Sequence, residues 1–189
     1  MSSKIRFYYG SMGCGKSTYA MQMCHMLTAS DFDATLLKSS FDTRDENVIR
    51  SRIGFEANCI SIDANTNVYD VVNIYKVTHI IVDEAQFLST KNITSLIKCA
   101  DEYNMEINLF GLRTAYTGKL FDASAEIMAV ADELIELPLI YKDGEKAIMH
   151  IRKVGGTEVY SGKDEFVGDI DEEYESVSRR EYFSRRYSN

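Results

Sequence analysis

The chain of 189 residues has no tryptophan, a single proline and no apolar stretch approaching the roughly 18 residues that a membrane-spanning helix needs. Its four cysteines are scattered without a C-x-x-C pair, which excludes a cysteine zinc signature and a disulfide framework. The first residues contain no secretory leader, so we expect a cytoplasmic protein with reduced thiols and no membrane contact. A formal net charge of −8 argues against direct nucleic-acid binding, because phosphate backbones attract an excess of Lys and Arg.

Strand and helix patterns alternate through residue 137. Helical spacing of apolar residues predicts three helices, the second with Thr90 as its N-cap, at 16–28, 90–103 and 121–131. Short apolar runs predict strands at 5–9, 34–38, 79–82, 107–110 and 134–137. This alternation predicts an α/β fold with a mainly parallel sheet flanked by helices. The polar segment 39–58 has no sustained period, and we expect it to be an active-site loop.

The pattern changes after Pro138. Turn signals at Asp143-Gly144 and Gly155-Gly156 flank the alternating run 147–153, which predicts a small β-rich subdomain. Residues 161–175 are acidic and contain glycine, as in a flexible loop. We therefore expect a nucleotide-binding domain at 1–137 and a small C-terminal subdomain at 138–189.

One motif carries specific chemistry near the start of the chain. It matches G-x-x-x-x-G-K-[ST], with an apolar strand before it and a helix after it, and consists of Gly10, Ser11, Met12, Gly13, Cys14, Gly15, Lys16 and Ser17. Its glycines let backbone N–H groups curl around the phosphates of ATP at a helix N-terminus. Lys16 is predicted to contact the β- and γ-phosphates, and Ser17 to ligate Mg²⁺. A chance match to a glycine-rich turn is disfavoured by the flanking strand and helix.

An acid pair, Asp83-Glu84, follows the buried strand 79–82. At the end of a parallel strand such a pair can face the nucleotide, whereas elsewhere Asp-Glu usually marks a solvated turn. Asp83 is a candidate for Mg²⁺ or its water shell, and Glu84 for the base that accepts a hydroxyl proton. Phosphoryl transfer is mostly loose, so a weak, well-placed base suffices, with charge added by Lys16, Mg²⁺ and Arg44.

These features together resemble the thymidine kinases of the cellular, bacterial and bacteriophage type. The resemblance runs over nearly the whole chain and rests on the phosphate loop and on four later blocks, Asp42-Thr43-Arg44, Ser51-Arg52-Ile53-Gly54, Asp83-Glu84-Ala85-Gln86-Phe87, and Gly111-Leu112-Arg113-Thr114 with Gly118-Lys119-Leu120-Phe121. It implies a P-loop NTPase-like fold that transfers the γ-phosphoryl group of ATP to the 5′-hydroxyl of thymidine, with Mg²⁺, in nucleotide salvage for DNA synthesis. It also implies a homotetramer.

The resemblance assigns roles residue by residue. Glu84 is the implied general base, and the ATP site extends from the phosphate loop to Asp83, Glu84, Ala85 and Gln86. The walls of the nucleoside pocket are implied at Met12, Phe87, Leu112, Tyr116 and Phe121. A lasso-type loop that closes over the base is implied at Phe166, Val167, Gly168 and Asp169, with Tyr174.

The sequence departs from the family in two places. Family members hold a structural zinc between a C-x-x-C or C-x-C pair and a later Cys with a Cys or His. The matching positions here are Tyr141, Asp143, Ser178 and Glu181, so we expect no zinc. The lost metal is expected to be offset by apolar packing of Tyr141, Tyr182 and Phe183. Many relatives also have Asp where this chain has Ala115. The alternatives are a deoxynucleoside kinase of broader specificity, an inactive ATP-binding structural or regulatory protein, and a DNA-translocating ATPase, which the acidic charge disfavours.

Overall fold

The computed structural model describes residues 3–41, 47–142, 144–162 and 172–188. Its strands, in chain order, are β1 Ile5–Gly10, β2 Ala34–Ser39, β3 Val48–Arg50, β4 Glu56–Asn58, β5 Ile60–Ile62, β6 His79–Asp83, β7 Glu106–Leu112, β8 Glu133–Glu136, β9 Ala147–Val154, β10 Thr157–Val159 and β11 Glu172–Ser178. Its α-helices are α1 Lys16–Ala29, α2 Val68–Val72, α3 Thr90–Asp101, α4 Asp122–Val130 and α5 Arg179–Ser188. None of the helices in these ranges is long and apolar enough to cross a membrane.

A six-stranded sheet in the order β5-β2-β6-β7-β1-β8 forms the centre of the molecule. Every pairing in it is parallel, as the alternation of strands and helices predicted. In a parallel sheet the carboxyl ends of the strands share one edge, so the segments that follow β1, β6 and β7 lie side by side. The predicted α/β architecture is confirmed.

Side chains that alternate along β1 build both faces of the core. Phe7 is fully buried against α3 and α4 on one face, in a cluster that includes Ile93 and Ile127. Tyr8 points to the opposite face, where it packs with Met21 of α1 and stacks on Phe110 at 4.5 Å between ring centroids. Helices on both faces explain why the central strands bury apolar side chains on both sides of the sheet.

Several local predictions were wrong. The N-cap of α3 is Ser89, because its hydroxyl accepts from the Asn92 N–H while the Asn92 side chain accepts from the Ser89 N–H. Strand β7 runs through Gly111 to Leu112 instead of ending before Gly111. The segment 39–58 is not only a loop, since β3 and β4 pair within it as an antiparallel hairpin. Of the cysteines on helices, Cys99 is a buried core residue and Cys24 is half-buried.

The chain after Pro138 forms a second, three-stranded antiparallel sheet in the order β10-β9-β11. The predicted run 147–153 is β9, and the Gly155-Gly156 turn joins it to β10. Strand β11 occupies part of the segment expected to be a loop, and α5 was not predicted at all. The expected aromatic packing is confirmed, because Tyr182 is fully buried and Tyr141 and Phe183 pack against its cluster.

Candidate active site

The phosphate loop connects β1 to α1, as its motif predicted. Gly15 at the start of α1 has φ 87°, a left-handed conformation that favours glycine, and this turns the backbone into the helix N-terminus. Lys16 is buried, and its Nζ donates to the Ser11 carbonyl oxygen at 2.8 Å and approaches Cys14 Sγ at 3.7 Å. The Ser11 hydroxyl is buried, and among the described residues it has no hydrogen-bond partner. A buried cation and an unsatisfied hydroxyl in one loop fit an anionic ligand.

Asp83 ends β6 next to this loop. It is 3% exposed, and the Ser17 hydroxyl donates to its carboxylate. Burial and the neighbouring Glu84 charge raise the pKa of Asp83, although the Ser17 hydrogen bond and Lys16 oppose that rise. A divalent cation at this point would favour the ionised carboxylate. The oxygen atoms of Ser17 and Asp83 are therefore a donor set of the kind that Mg²⁺ prefers.

Glu84 follows Asp83 in a left-handed conformation, with φ 53° and ψ 40°. A residue with a Cβ rarely adopts this conformation, which costs roughly 1–2 kcal/mol. The short 3₁₀ turn Ala85–Phe87 begins directly after it. The side-chain amide of Gln86 donates to Glu84 Oε2, while its Oε1 accepts from the Leu112 N–H at 2.9 Å. Glu84 is thereby oriented by a neighbour that also contacts the end of β7.

Ala85 and Gln86, both predicted to lie at the ATP site, are buried. The Ala85 side chain packs in the core beneath the sheet, so only its backbone remains for a contact with ATP. The Gln86 side chain bonds the Glu84 carboxylate and the Leu112 N–H, and its contact with ATP stays a prediction.

Four of the five predicted pocket residues lie together. Leu112 and Phe121 form a small apolar cluster with Ala115, and Met12 and Phe87 pack against it. The rings of Phe87 and Phe121 meet edge to face at 5.9 Å between centroids. Met12 belongs both to this cluster and to the phosphate loop, so the two predicted binding regions adjoin. Ala115, singled out only as a departure from the family, belongs to the same cluster.

Tyr116, the fifth predicted pocket residue, lies against the small sheet. Its hydroxyl donates to the Ser161 carbonyl oxygen and accepts from Arg152 Nη1, both at 3.2 Å. The centroid of its ring lies 6.4 Å from the ring centroid of Tyr174. Tyr174 on β11 is paired with Arg152 on β9. Tyr116 and Tyr174 are therefore neighbours.

Some predicted residues lie outside the described part of the chain. These are Arg44, with the rest of its Asp42-Thr43-Arg44 block, and the lasso residues Phe166, Val167, Gly168 and Asp169. Asp143, one of the positions that match the zinc ligands of the family, is also outside it.

Two residues near the phosphate loop were not assigned to the site from the sequence. Arg52 lies on the turn between β3 and β4, and its Nη1 is 3.8 Å from where a Cβ on Gly13 would stand. Its location in the polar segment 39–58, which we expected to be an active-site loop, was the only indication in the sequence that Arg52 could belong to the site. His150 lies on β9, and its Nε2 accepts from the Met12 N–H at 3.0 Å. Nothing local in the sequence marks His150, because its partner is 138 residues away.

At the zinc-matching positions, three described side chains have other partners. Tyr141 donates to Glu175, Glu181 pairs with Arg185, and the buried Ser178 hydroxyl accepts from the Glu181 N–H at the start of α5. Within the described ranges there is no group of three or more His, Cys, Asp or Glu side chains arranged to hold a metal ion.

A phosphate loop after β1, an acid pair at the end of β6 and an apolar cluster beside them define a P-loop phosphotransferase. Comparison with known proteins narrows this class. The family model described as thymidine kinase matches residues 3–182. The chain is 39% identical to the thymidine kinase of Enterobacteria phage T4 over 188 residues, which is 96% of each chain. It is 34% identical to the thymidine kinase of Lactococcus lactis over 185 residues, with 96% of this chain and 97% of that protein covered. The thymidine kinase of Enterococcus faecalis is 32% identical over 191 residues, with 99% and 98% covered.

The chain therefore belongs to the thymidine kinase family, and it is an ATP-dependent kinase. The resemblance inferred from the sequence is confirmed.

Proposed function

We propose that this chain transfers the γ-phosphoryl group of ATP to the 5′-hydroxyl of thymidine, giving thymidine monophosphate and ADP. The observation that carries the proposal is the adjacency of the three parts of the site. Met12 belongs to both the phosphate loop and the apolar pocket, and Gln86 joins Glu84 to the pocket residue Leu112. A donor phosphate, a base and an acceptor nucleoside can thus occupy neighbouring positions at one edge of the sheet.

The phosphate loop, residues 10–17, holds the triphosphate through its backbone N–H groups and the N-terminus of α1. Lys16 leaves the Ser11 carbonyl oxygen and pairs with the β- and γ-phosphates. Ser17 and Asp83 would hold Mg²⁺, which supplies positive charge to the phosphate oxygens when bound. Arg52 lies close to Gly13 and can add positive charge beside the loop. Arg44 is a further source of positive charge in this proposal, on the ground of the family resemblance.

Glu84 accepts the proton of the 5′-hydroxyl. Its carboxylate needs only to be correctly placed, because proton removal comes late in a loose phosphoryl transfer. Gln86 provides that placement through its hydrogen bond to Glu84 Oε2. General bases of this kind contribute a factor of about 10²–10⁴ to the rate.

The nucleoside base lies in the pocket formed by Met12, Phe87, Leu112, Tyr116 and Phe121. Residues 166–169 and Tyr174 close over it as a lasso-type loop, which fits the position of Tyr174 beside Tyr116. Ala115 is 1% exposed within this pocket cluster, at a position where the family resemblance implies Asp in many relatives. Broader acceptance of deoxynucleosides is therefore the second candidate function.

Four further predictions from the sequence and the family complete the proposal. The protein is cytoplasmic, assembles as a homotetramer, contains no structural zinc, and divides into a nucleotide-binding domain at 1–137 and a small subdomain at 138–189.

A coupled assay of ADP release across thymidine, deoxyuridine, deoxycytidine and deoxyadenosine tests the function. We expect the highest kcat/KM with thymidine. Comparable kcat/KM values for all four would favour the broader kinase, whereas ATP binding without phosphorylation of any nucleoside would refute both.

A further inference from the structure

His150 is a buried histidine that the proposed reaction does not use. It is 2% exposed, and it bonds the Met12 N–H through Nε2 at 3.0 Å and the Thr114 carbonyl oxygen through Nδ1 at 2.9 Å. A backbone N–H can only donate and a carbonyl oxygen can only accept, so the two partners decide the protonation of the ring. Nδ1 carries the proton, Nε2 is bare, and the imidazole is neutral.

Ser176 binds the other backbone polar group of Met12. Its hydroxyl donates to the Met12 carbonyl oxygen at 2.8 Å. Ser176 and His150 are directly paired across β11 and β9, so both side chains project from one face of the small sheet. The two strands therefore hold Met12 by its N–H and by its carbonyl oxygen at once.

Met12 lies between the two proposed subsites of the reaction, so its position can affect catalysis. Its backbone is part of the phosphate loop, and its side chain packs against the pocket formed by Leu112, Ala115 and Phe121. Thr114, the second partner of His150, directly precedes Ala115 on the pocket side. His150 thus bridges the loop that holds the donor phosphates and the wall that holds the acceptor.

We infer that His150 and Ser176 are positioning residues for phosphoryl transfer, which act through Met12 by fixing the phosphate loop relative to the nucleoside pocket. The inference rests on the proposed kinase reaction. A displacement of about 1 Å between reacting groups can cost a factor of about 10² in rate, so two hydrogen bonds on the residue shared by both subsites are well placed to affect kcat.

The surroundings of His150 keep the ring in the form that this role requires. Burial and the positive charges of Lys16, Arg113 and Arg52 lower the pKa of His150 to about 4, although its bond to Thr114 opposes that shift. These charges face the ring from α1, from the segment after β7 and from the β3–β4 turn. The imidazole therefore stays neutral near pH 7 and keeps Nε2 free to accept from Met12.

The test compares His150→Leu, which removes both hydrogen bonds, with His150→Gln, whose amide retains one acceptor and one donor. We expect His150→Leu to lower kcat roughly 10- to 100-fold with smaller changes in the KM values for ATP and thymidine. His150→Gln should recover most of the loss. Val177→Ala is the matched control, because Val177 projects from the opposite face of β11 into the apolar cluster with Tyr182. It should lower Tm and leave kcat unchanged at temperatures well below Tm.

Ser176→Ala completes the experiment, since it removes the second contact to Met12. The double variant with His150→Leu should lose less activity than the product of the two single losses, because both act through one residue. An unchanged kcat in His150→Leu, or an equal fall in kcat in Val177→Ala, would overturn the inference and leave the proposed function intact. Absence of nucleoside phosphorylation by the unmodified chain would overturn the function, and the inference with it.

Discussion

The side-chain amide of Gln86 donates to Glu84 Oε2 while its carbonyl oxygen accepts from the Leu112 N–H. The proposed base is thus joined to the end of β7 through a single buried side chain. Gly111 makes this arrangement possible, because a Cβ at this position would lie 3.0 Å from Gln86 Oε1 and 3.2 Å from the Gln86 backbone nitrogen. The same strand end that orients the carboxylate also carries Leu112 of the proposed nucleoside pocket.

Glu84→Gln should abolish most thymidine phosphorylation. The amide has nearly the shape of the carboxylate but cannot accept the hydroxyl proton, so we expect kcat to fall by a factor of about 10²–10⁴. ATP affinity, measured by calorimetric titration, should change little because the phosphate loop is untouched. Turnover close to that of the unmodified chain would remove Glu84 from the role of base.

Gln86 should affect catalysis through Glu84, and two substitutions separate its two hydrogen bonds. Gln86→Met removes both, whereas Gln86→Glu keeps an acceptor for Leu112 and loses the donation to Glu84. If orientation of the base matters, both variants should lower kcat by about tenfold. This factor corresponds to roughly 1.4 kcal/mol, about the contribution of one hydrogen bond. A loss confined to Gln86→Met would assign the effect to Leu112 and contradict the positioning of Glu84.

His150 should make the stability of the protein depend on pH. Its pKa is about 4 in the folded chain and near 6.5 when unfolded, so between these values the unfolded state binds an additional proton. The contribution of His150 to the free energy of unfolding is therefore fully present above pH 6.5. It is lost as the pH is lowered toward 4, by up to about 1.4 kcal/mol per pH unit.

Urea denaturation at pH 7, 6 and 5 measures this contribution. His150→Gln has no titrating ring, so its stability should fall less over this interval than that of the unmodified chain. The same exchange at His25, which is exposed on α1, is the control and should leave the slope unchanged. Equal slopes in all three proteins would show that His150 does not contribute.

The parts of the fold that were predictable are those with local signals. The apolar run at 79–82 is too continuous for a half-exposed strand, which is why the sequence alone predicts a buried parallel strand there. The phosphate loop is encoded in eight consecutive residues. Ser89 and Thr90 are both good N-caps, and only Asn92, three residues after Ser89, decides between them.

The contacts that were missed join distant parts of the chain. Met12 meets His150 and Ser176 across 138 and 164 residues, and no periodicity or motif marks such a pair. The β3–β4 hairpin has three-residue strands, too short for an alternating pattern to be distinguished from a polar loop. Helix α5 is rich in charge and has only one fully buried residue, Tyr182, so its apolar stripe is weak.

Arg185 contacts two of the positions that match the family's zinc ligands, Tyr141 and Glu181. Its guanidinium pairs with Glu158, Glu175 and Glu181 at 3.1, 3.0 and 2.6 Å, and it donates to the Tyr141 hydroxyl at 3.3 Å. Glu175 also pairs with Lys153 at 3.3 Å. Burial alone would raise the pKa of Glu175, but Arg185 and Lys153 lower it to about 2. Tyr141 and Glu181, two of the zinc-matching positions, thus both contact the guanidinium group of Arg185.

Because a partly buried network of ion pairs here links α5 to β10 and β11, Arg185→Met should destabilise the subdomain. We expect a loss of about 1–3 kcal/mol in the free energy of unfolding, more than the 0–1 kcal/mol typical of an exposed pair. Arg180→Met is the control on the same helix, since Arg180 pairs with Glu145 and is 81% exposed. The loss in Arg185→Met should shrink at high salt, and treatment with a chelator should leave Tm of the unmodified chain unchanged. Equal effects of the two substitutions, or about one zinc per chain after chelation and desalting, would mean that the network has not replaced the metal.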